Sequence, residues 1–228
     1  MATVENFDVV VLGAGAAGMM AAIEAGRRGR SVLVVDHAAA PGEKIRISGG
    51  GRCNFTNIHT SPANFLSANP HFCKSALSRY KPADFIALVN RYHIAFHEKA
   101  LGQLFCDGSA KDIIEMLLAE MEAGGAVLRL ETSVQEIDKT DSGFVLKLNG
   151  VTTHCESLIV ATGGKSIPKM GATGFAYDVA RQFGLRIVET RPALAPLTFE
   201  PGLLQSLNTL AGVSVEAKVK HGKTAFQE

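Results

Sequence analysis

The chain has 228 residues, 46% of them hydrophobic and 20% charged, the makeup of a globular protein with room for one large domain or two small ones. A formal net charge of +1 gives no electrostatic reason to expect a nucleic acid or an acidic membrane as partner. Four scattered cysteines (Cys53, Cys73, Cys106 and Cys155) form no CxxC pair, and the start of the chain lacks a basic region and cleavage site, so free thiols in a reducing, cytoplasmic compartment are expected.

In chain order, a β-branched run from Val9 to Leu12 enters the turn Gly13-Ala14-Gly15-Ala16-Ala17-Gly18, and an Ala-rich helix follows until Gly29. Glu24, Arg27 and Arg28 interrupt that helix, which is too short and too charged to span a membrane. Ser31 to Val35 form a second apolar strand closing on Asp36. The next segment, His37 to Pro62, is rich in Gly, Ser and Asn and reads as a long functional loop. Lys81–Tyr92 and Ala110–Ala123 carry apolar residues at helical spacing, Gly124-Gly125 stop the second, and Val127–Leu130 reads as a buried strand.

Beyond this point the pattern shortens. Val134–Lys139, Phe144–Leu148 and Val151–Cys155, the last two flanking Asn149-Gly150, predict an antiparallel meander inserted between parallel strands. Leu158–Ala161 predicts a further parallel strand, Phe175–Phe183 a helix and Leu185–Val188 a strand. Pro192, Pro196 and Pro201 mark a linker or change of domain. Leu210–Lys220 predicts a strand, His221-Gly222 a turn and Thr224–Gln227 a return strand. A hairpin cut so close to its end suggests a piece of a longer protein.

The chemistry concentrates at the first turn. Gly13 permits the tight turn, Gly15 lets a pyrophosphate approach the backbone, and Gly18 lets the helix pack closely on the strand. The free amides and positive dipole end of the helix, at Ala14, Ala16 and Ala17, face the phosphates. Asp36 lies at the distance, roughly 20 residues on, where a carboxylate accepts the hydroxyls of an adenosine ribose. Its charge disfavours a 2′-phosphate, so the turn reads as a site for FAD or NAD. In Gly42–Asn57, Gly49, Gly50 and Gly51 allow close approach of the backbone to a flat ligand or a phosphate. Ser48, Arg52, Asn54 and Thr56 add donors there, and Lys44 and Arg46 add positive charge. Cys53 reads as a small residue packed under the ligand, with an activated thiol as the alternative. Ala161-Thr162-Gly163-Gly164 gives a tight turn against the cofactor. Gly171, Thr173 and Gly174 cap the next helix or form a second anion site. His59, His71, His93, His97 and His154 lack metal-ligand spacing, so no metal is expected.

This order of elements resembles that of the flavoproteins with two dinucleotide-binding domains. GEKIRISGGGRCNFTN (Gly42–Asn57), ATGGKSIPKMGATGFAYDVARQFG (Ala161–Gly184) and PALAPLTF (Pro192–Phe199) resemble the HI0933-like, or BaiN-like, family of NAD(P)/FAD-dependent oxidoreductases over essentially the whole chain. The resemblance implies an α/β, Rossmann-type FAD-binding domain with a parallel sheet and inserted meander in residues 1–192. Residues 193–228 then begin a second, mainly β domain, and this chain is about the N-terminal half of the protein. It also implies that His37 lies beside Asp36 at the ribose. Lys44 and Gly49–Asn54 would run along the cofactor toward its ring, and Val134 would contact the adenine through its backbone. The implied activity is hydride transfer from NAD(P)H through flavin to a small molecule, such as one with an activated carbon–carbon double bond. Two readings stay open beside it: an NAD-dependent dehydrogenase, and a non-catalytic flavin-binding protein.

Overall fold

Val9 to Leu12 and Val32 to Val35 are unbroken apolar runs because both faces of their strands are covered. The computed structural model describes residues 4–167, 173–192, 198–210, 213 and 216–227. These fall into two units, Met1–Ile187 and Val188–Glu228.

In the first unit, β1 (Val4–Leu12) pairs in parallel with β2 (Val32–Val35), and β2 with β6 (Val127–Arg129). On its other side β1 pairs in parallel with β9 (Val151–Val160), and β8 (Gly143–Leu148) and β7 (Val134–Thr140) follow antiparallel. The sheet order is β6-β2-β1-β9-β8-β7. Strand alternation sorts the core into two layers. Val9, Val11, Val32 and Val34 pack with α1 (Ala16–Gly26) and α5 (Ala110–Ala123). Val10, Leu12, Leu33 and Val35 pack with the meander and with Val179 of α6 (Phe175–Gln182). Ser109 opens α5 as a capping box, its hydroxyl accepting from Lys111 N at 3.1 Å while its own amide donates to Asp112 at 3.1 Å.

Between β2 and α5 lie α2 (Glu43–Ile47), α3 (Lys74–Arg79), α4 (Pro82–Arg91) and an antiparallel sheet. That sheet comprises β3 (Asn54–Asn57), β4 (Phe96–Glu98) and β5 (Gln103–Cys106), in the order β3-β5-β4. The expected long loop, His37–Pro62, is thus corrected: it holds a helix, a 3-10 turn at Ser48–Gly51 and a strand. Its polar and glycine content hid them, because β3 gains its order from pairing with β5, far along the chain.

Two strands are also corrected. Val151–Cys155 and Leu158–Ala161 are one strand, β9, so the third strand of the meander is itself parallel to β1. Glu156 and Ser157 break the apolar pattern but not the backbone ladder. Leu185–Val188 forms no strand. Both end residues are exposed, and the Leu185 amide donates to Ala180 O at 2.9 Å, closing the end of α6 instead of pairing with a strand. The Asn149-Gly150 hairpin is present, with φ of 46° and 83°.

In the second unit, Pro201 begins a helix, α7 (Pro201–Leu207), which suits its fixed φ and missing amide hydrogen. Of the expected strand Leu210–Lys220, residues 211, 212, 214 and 215 lie outside the described residues, and the end is paired: β10 (Lys218–His221) forms a hairpin with β11 (Thr224–Gln227). Gly171 and residues 193–197 of the proline-marked stretch lie outside the described residues. No helix among the described residues is long and apolar enough to cross a membrane.

Candidate functional site

The strand–turn–helix β1–α1 fixes the centre of the site. Gly13 N donates to Val35 O at 2.8 Å, and Ala161 N donates to Leu12 O at 2.8 Å, so the ends of β2, β1 and β9 meet at one edge. Gly13 has φ +106°, and a Cβ there would lie 2.6 Å from Ala161 O. A Cβ on Gly18 would lie 1.8 Å from Gly13 O, so only glycine lets α1 press against the turn. A Cβ on Gly15 would meet nothing within 4 Å, since that backbone faces open space. Gly15 is the N-cap and no side chain caps α1, so the first-turn amides lack an intrahelical acceptor. Asp36 holds the turn: its carboxylate accepts from Ala14 N at 2.7 Å and from Ala38 N at 2.9 Å.

A cavity of about 640 Å³ runs along this edge, within the size range of cofactor sites. One end is lined by Asp36, His37, Thr132, Ser133 and Val134, and the middle by Gly13, Gly15, Ala16, Ala17, Ala161, Thr162 and Gly163. The other end is lined by Lys44, Ser48, Cys53 and Asn54 with an apolar wall of Phe55, Phe85, Ile113 and Leu117. Fourteen of the residues read from the sequence as cofactor-binding therefore share one wall. Ala14, Gly18, Gly49, Gly50, Gly51, Arg52 and Gly164 lie off it. Gly18 and Ala14 shape the turn from behind. Gly49 makes room for Phe105, whose ring atom would stand 2.6 Å from a Cβ at that position. Gly49, Gly50 and Gly51 all have positive φ, so the glycine run turns the chain from α2 into β3. Of the residues around the second expected anion site, Thr173 lies on the wall, and its Oγ1 accepts from Phe175 N at 3.3 Å.

Sequence reasoning missed the apolar wall, because Phe85, Ile113 and Leu117 read as apolar faces of helices and Phe55 drew no reading at all. It also missed Thr132, whose amide donates to Asp36 O at 2.8 Å and ties β6 to the end of β2. Lys44 Nζ donates to Ser166 Oγ at 2.9 Å, joining α2 to the segment after β9. Cys53 is buried with φ 51°, and burial pushes its thiol up to about 11. The thiol stays protonated at neutral pH, which is the packed residue rather than the activated one. Burial, with a smaller contribution from Cys53, likewise pushes Cys106 up to about 12. His97 Nδ1 lies 2.6 Å from Asp107 Oδ1, and among the described residues no group of three or more His, Cys, Asp or Glu is placed to hold a metal ion.

A parallel sheet edge, an uncapped helix start over open space and an acid closing the second strand define a Rossmann-type dinucleotide-binding fold. The chain belongs to the HI0933-like family: the model described as HI0933-like protein Rossmann domain matches residues 7–223. It is 51% identical over 225 residues to the ribosomal RNA dihydrouridine synthase of Escherichia coli K12, covering 98% of this chain and 56% of that protein. It is 44% identical over 214 residues to the protein of that name in Haemophilus influenzae Rd, covering 92% of this chain and 53% of that one. The chain thus spans about half the length of these relatives. Among solved structures, the open conformation of a flavocytochrome c3 fumarate reductase is similar, with a TM-score of 0.55 at 21% identity over 78% of this chain and 40% of that one. At that identity the likeness is one of fold.

Proposed function

We propose that the protein carrying this chain is an FAD-dependent oxidoreductase that reduces the C5–C6 double bond of uridine in ribosomal RNA to dihydrouridine, with NAD(P)H as hydride source. The observation that carries this reading is the 51% identity to the Escherichia coli protein, sustained over 98% of the chain. Overall, NAD(P)H and one proton are consumed per double bond reduced, and NAD(P)+ is released.

The cavity fits an extended FAD by the chemistry of its wall. Asp36 still has lone pairs to offer the adenosine ribose after accepting from Ala14 and Ala38. The amides of Gly15, Ala16 and Ala17 suit a pyrophosphate, and the space above Gly15 admits it. Phe55, Phe85, Ile113 and Leu117 offer an apolar surface to a flat ring and keep water from it. Lys44 places positive charge beside the same end. Bound flavin supplies two-electron hydride transfer, and the protein orients and shields it.

This reading puts a nucleic acid where the near-neutral net charge gave no reason to expect one. Phosphate attraction depends on where cations cluster, not on their sum over the chain. The test uses the full-length protein, purified with FAD and incubated with NADPH and ribosomal RNA lacking dihydrouridine. Nucleoside mass spectrometry should then find dihydrouridine at one or a few positions. Oxidation of NADPH by the flavin without any dihydrouridine would leave an oxidoreductase and remove the RNA substrate.

A further inference from the structure

Among its described residues, the hairpin of the second unit pairs no carboxylate opposite its lysines. Lys218 pairs opposite Gln227 and Lys220 opposite Ala225. Residues two apart on a strand share a face with each other and with their cross-strand partners. Lys218 and Lys220 therefore stand on one face, roughly 6.6 Å apart along the strand, with no carboxylate opposite either. Val219 pairs with Phe226 on the other face. The turn adds Lys223, so Lys218–Gln227 holds three lysines and a histidine, with no Asp or Glu. The flanking carboxylates in sequence are Glu216, two residues before Lys218, and Glu228, next after Gln227, which lies outside the described residues. No ion pair among the described residues involves Lys218, Lys220 or Lys223. Both strands are exposed throughout.

Opposite-charge pairs across a hairpin stabilise it, and this lysine face has none. The apolar pair Val219–Phe226 marks the face suited to packing, which leaves the lysine face for solvent or a polyanion. A lysine is a compact charge on a flexible stem, suited to phosphate contact without base readout. We propose that the lysines of this hairpin, Lys218 and Lys220 on one face with Lys223 in the turn, dock the phosphate backbone of RNA. The identity of the polyanion rests on the RNA reading above. An acidic membrane is disfavoured by geometry, because interfacial binding needs the apolar residues on the membrane side, and here they point away from the lysines.

The test measures binding of deproteinised ribosomal RNA to the full-length, FAD-loaded protein across a salt series. Wild type is compared with the triple variant Lys218→Gln, Lys220→Gln, Lys223→Gln and with the matching triple Arg variant. Each lost phosphate contact lowers the slope of log K against log salt by about 0.7–0.9. The Gln variant should bind about tenfold or more weakly near physiological salt, with a slope shallower by about 2 to 3. The Arg variant should bind as wild type does, and the flavin spectrum of all three should match. Equal affinity and slope in the Gln variant would overturn the hairpin proposal. So would lysine-dependent binding to phosphatidylserine vesicles without binding to RNA. Dihydrouridine formation by wild type, scored separately, distinguishes the two readings. If RNA binds through the lysines but no dihydrouridine forms, the substrate reading fails and the docking face stands. If dihydrouridine forms while the Gln variant binds normally, the reverse holds.

Discussion

In the proposed reading Asp36 does two jobs with one carboxylate, clamping the turn and holding the ribose. Its oxygens accept from the amides of Ala14 and Ala38, so it clamps the glycine turn before any nucleotide arrives. Asp36→Ala should therefore weaken FAD binding by about 1–3 kcal/mol, the range for losing hydrogen bonds to a charged acceptor. It should also lower the melting temperature of the FAD-free protein, which loss of a ribose contact alone would not do. Calorimetric titration and a thermal melt without FAD separate the two effects, and an unchanged affinity would remove Asp36 from the ribose site. Cys53 makes the opposite case, a reactive residue type held inert. With its thiol at about 11, burial leaves it on the order of a hundredth of the thiolate of an exposed cysteine. Cys106 and Cys155 are buried as well, whereas Cys73 is half-buried. A short iodoacetamide pulse at neutral pH should label Cys73 alone, and mass spectrometry finding Cys53 alkylated in the folded protein would contradict its packed role. The polar half of the site was legible in the sequence because glycines and an acid at fixed spacing have few other uses. The clamp on Ala14 was not, since its partner is a backbone amide that could belong to any residue.

Elements were legible where their order is local. Ala110–Ala123 has its apolar period, its Ser109 cap and its glycine stop within one stretch, and α5 matches those bounds. β3 becomes a strand by pairing with β5, far along the chain, so Asn54–Asn57 read as loop. How α5 is held in place was equally invisible from sequence. Gly26 and Gly124 bring the ends of α1 and α5 together: a Cβ on Gly26 would lie 2.4 Å from Gly124 O. Nearby, Glu120 accepts from Arg27 of the α1 C-cap, from Arg91 at 2.6 Å and from the Tyr92 hydroxyl at 2.6 Å, joining three helices. Burial alone would raise the Glu120 carboxyl. The Tyr92 hydroxyl and the two guanidinium groups outweigh it and hold the group below the usual carboxylate range. A lowered native pKa contributes stability above the unfolded value, and that stability is lost as pH falls through the native one. Glu120→Gln should cost about 1–2 kcal/mol at pH 7. That is less than a fully buried pair would give, because Arg27 and Arg91 are about half exposed. Urea denaturation at pH 7 and again below pH 4 measures this. The difference between variant and wild type should shrink at the acid end, and a constant gap would mean that packing, not charge, is what Glu120 contributes.

At the scale of the molecule, the cavity is assembled from segments far apart in sequence: the β1–α1 turn, the end of β2, α2 with β3, the start of β7 and the residues after β9. Each segment is short, and each end of the cavity is held by few bonds, such as Lys44 to Ser166 at one end and Thr132 to Asp36 at the other. A ligand spanning all of them binds the folded state alone, so it stabilises by mass action: about 2.7 kcal/mol at a free concentration of one hundred times Kd. For a domain of this size that corresponds to roughly 5–10 °C in melting temperature. The gain should have an address. All of the wall lies between Leu12 and Phe175, inside the first unit. Hydrogen exchange with and without FAD should therefore slow at Gly13–Gly18, Asp36–Ala38, Thr132–Val134 and Ala161–Gly163. Protection confined to Gly13–Asp36 would fit a ligand held only by the first βαβ unit, as in a simple NAD site. Protection reaching Lys44, Cys53 and Asn54 as well requires a cofactor long enough to run the whole edge.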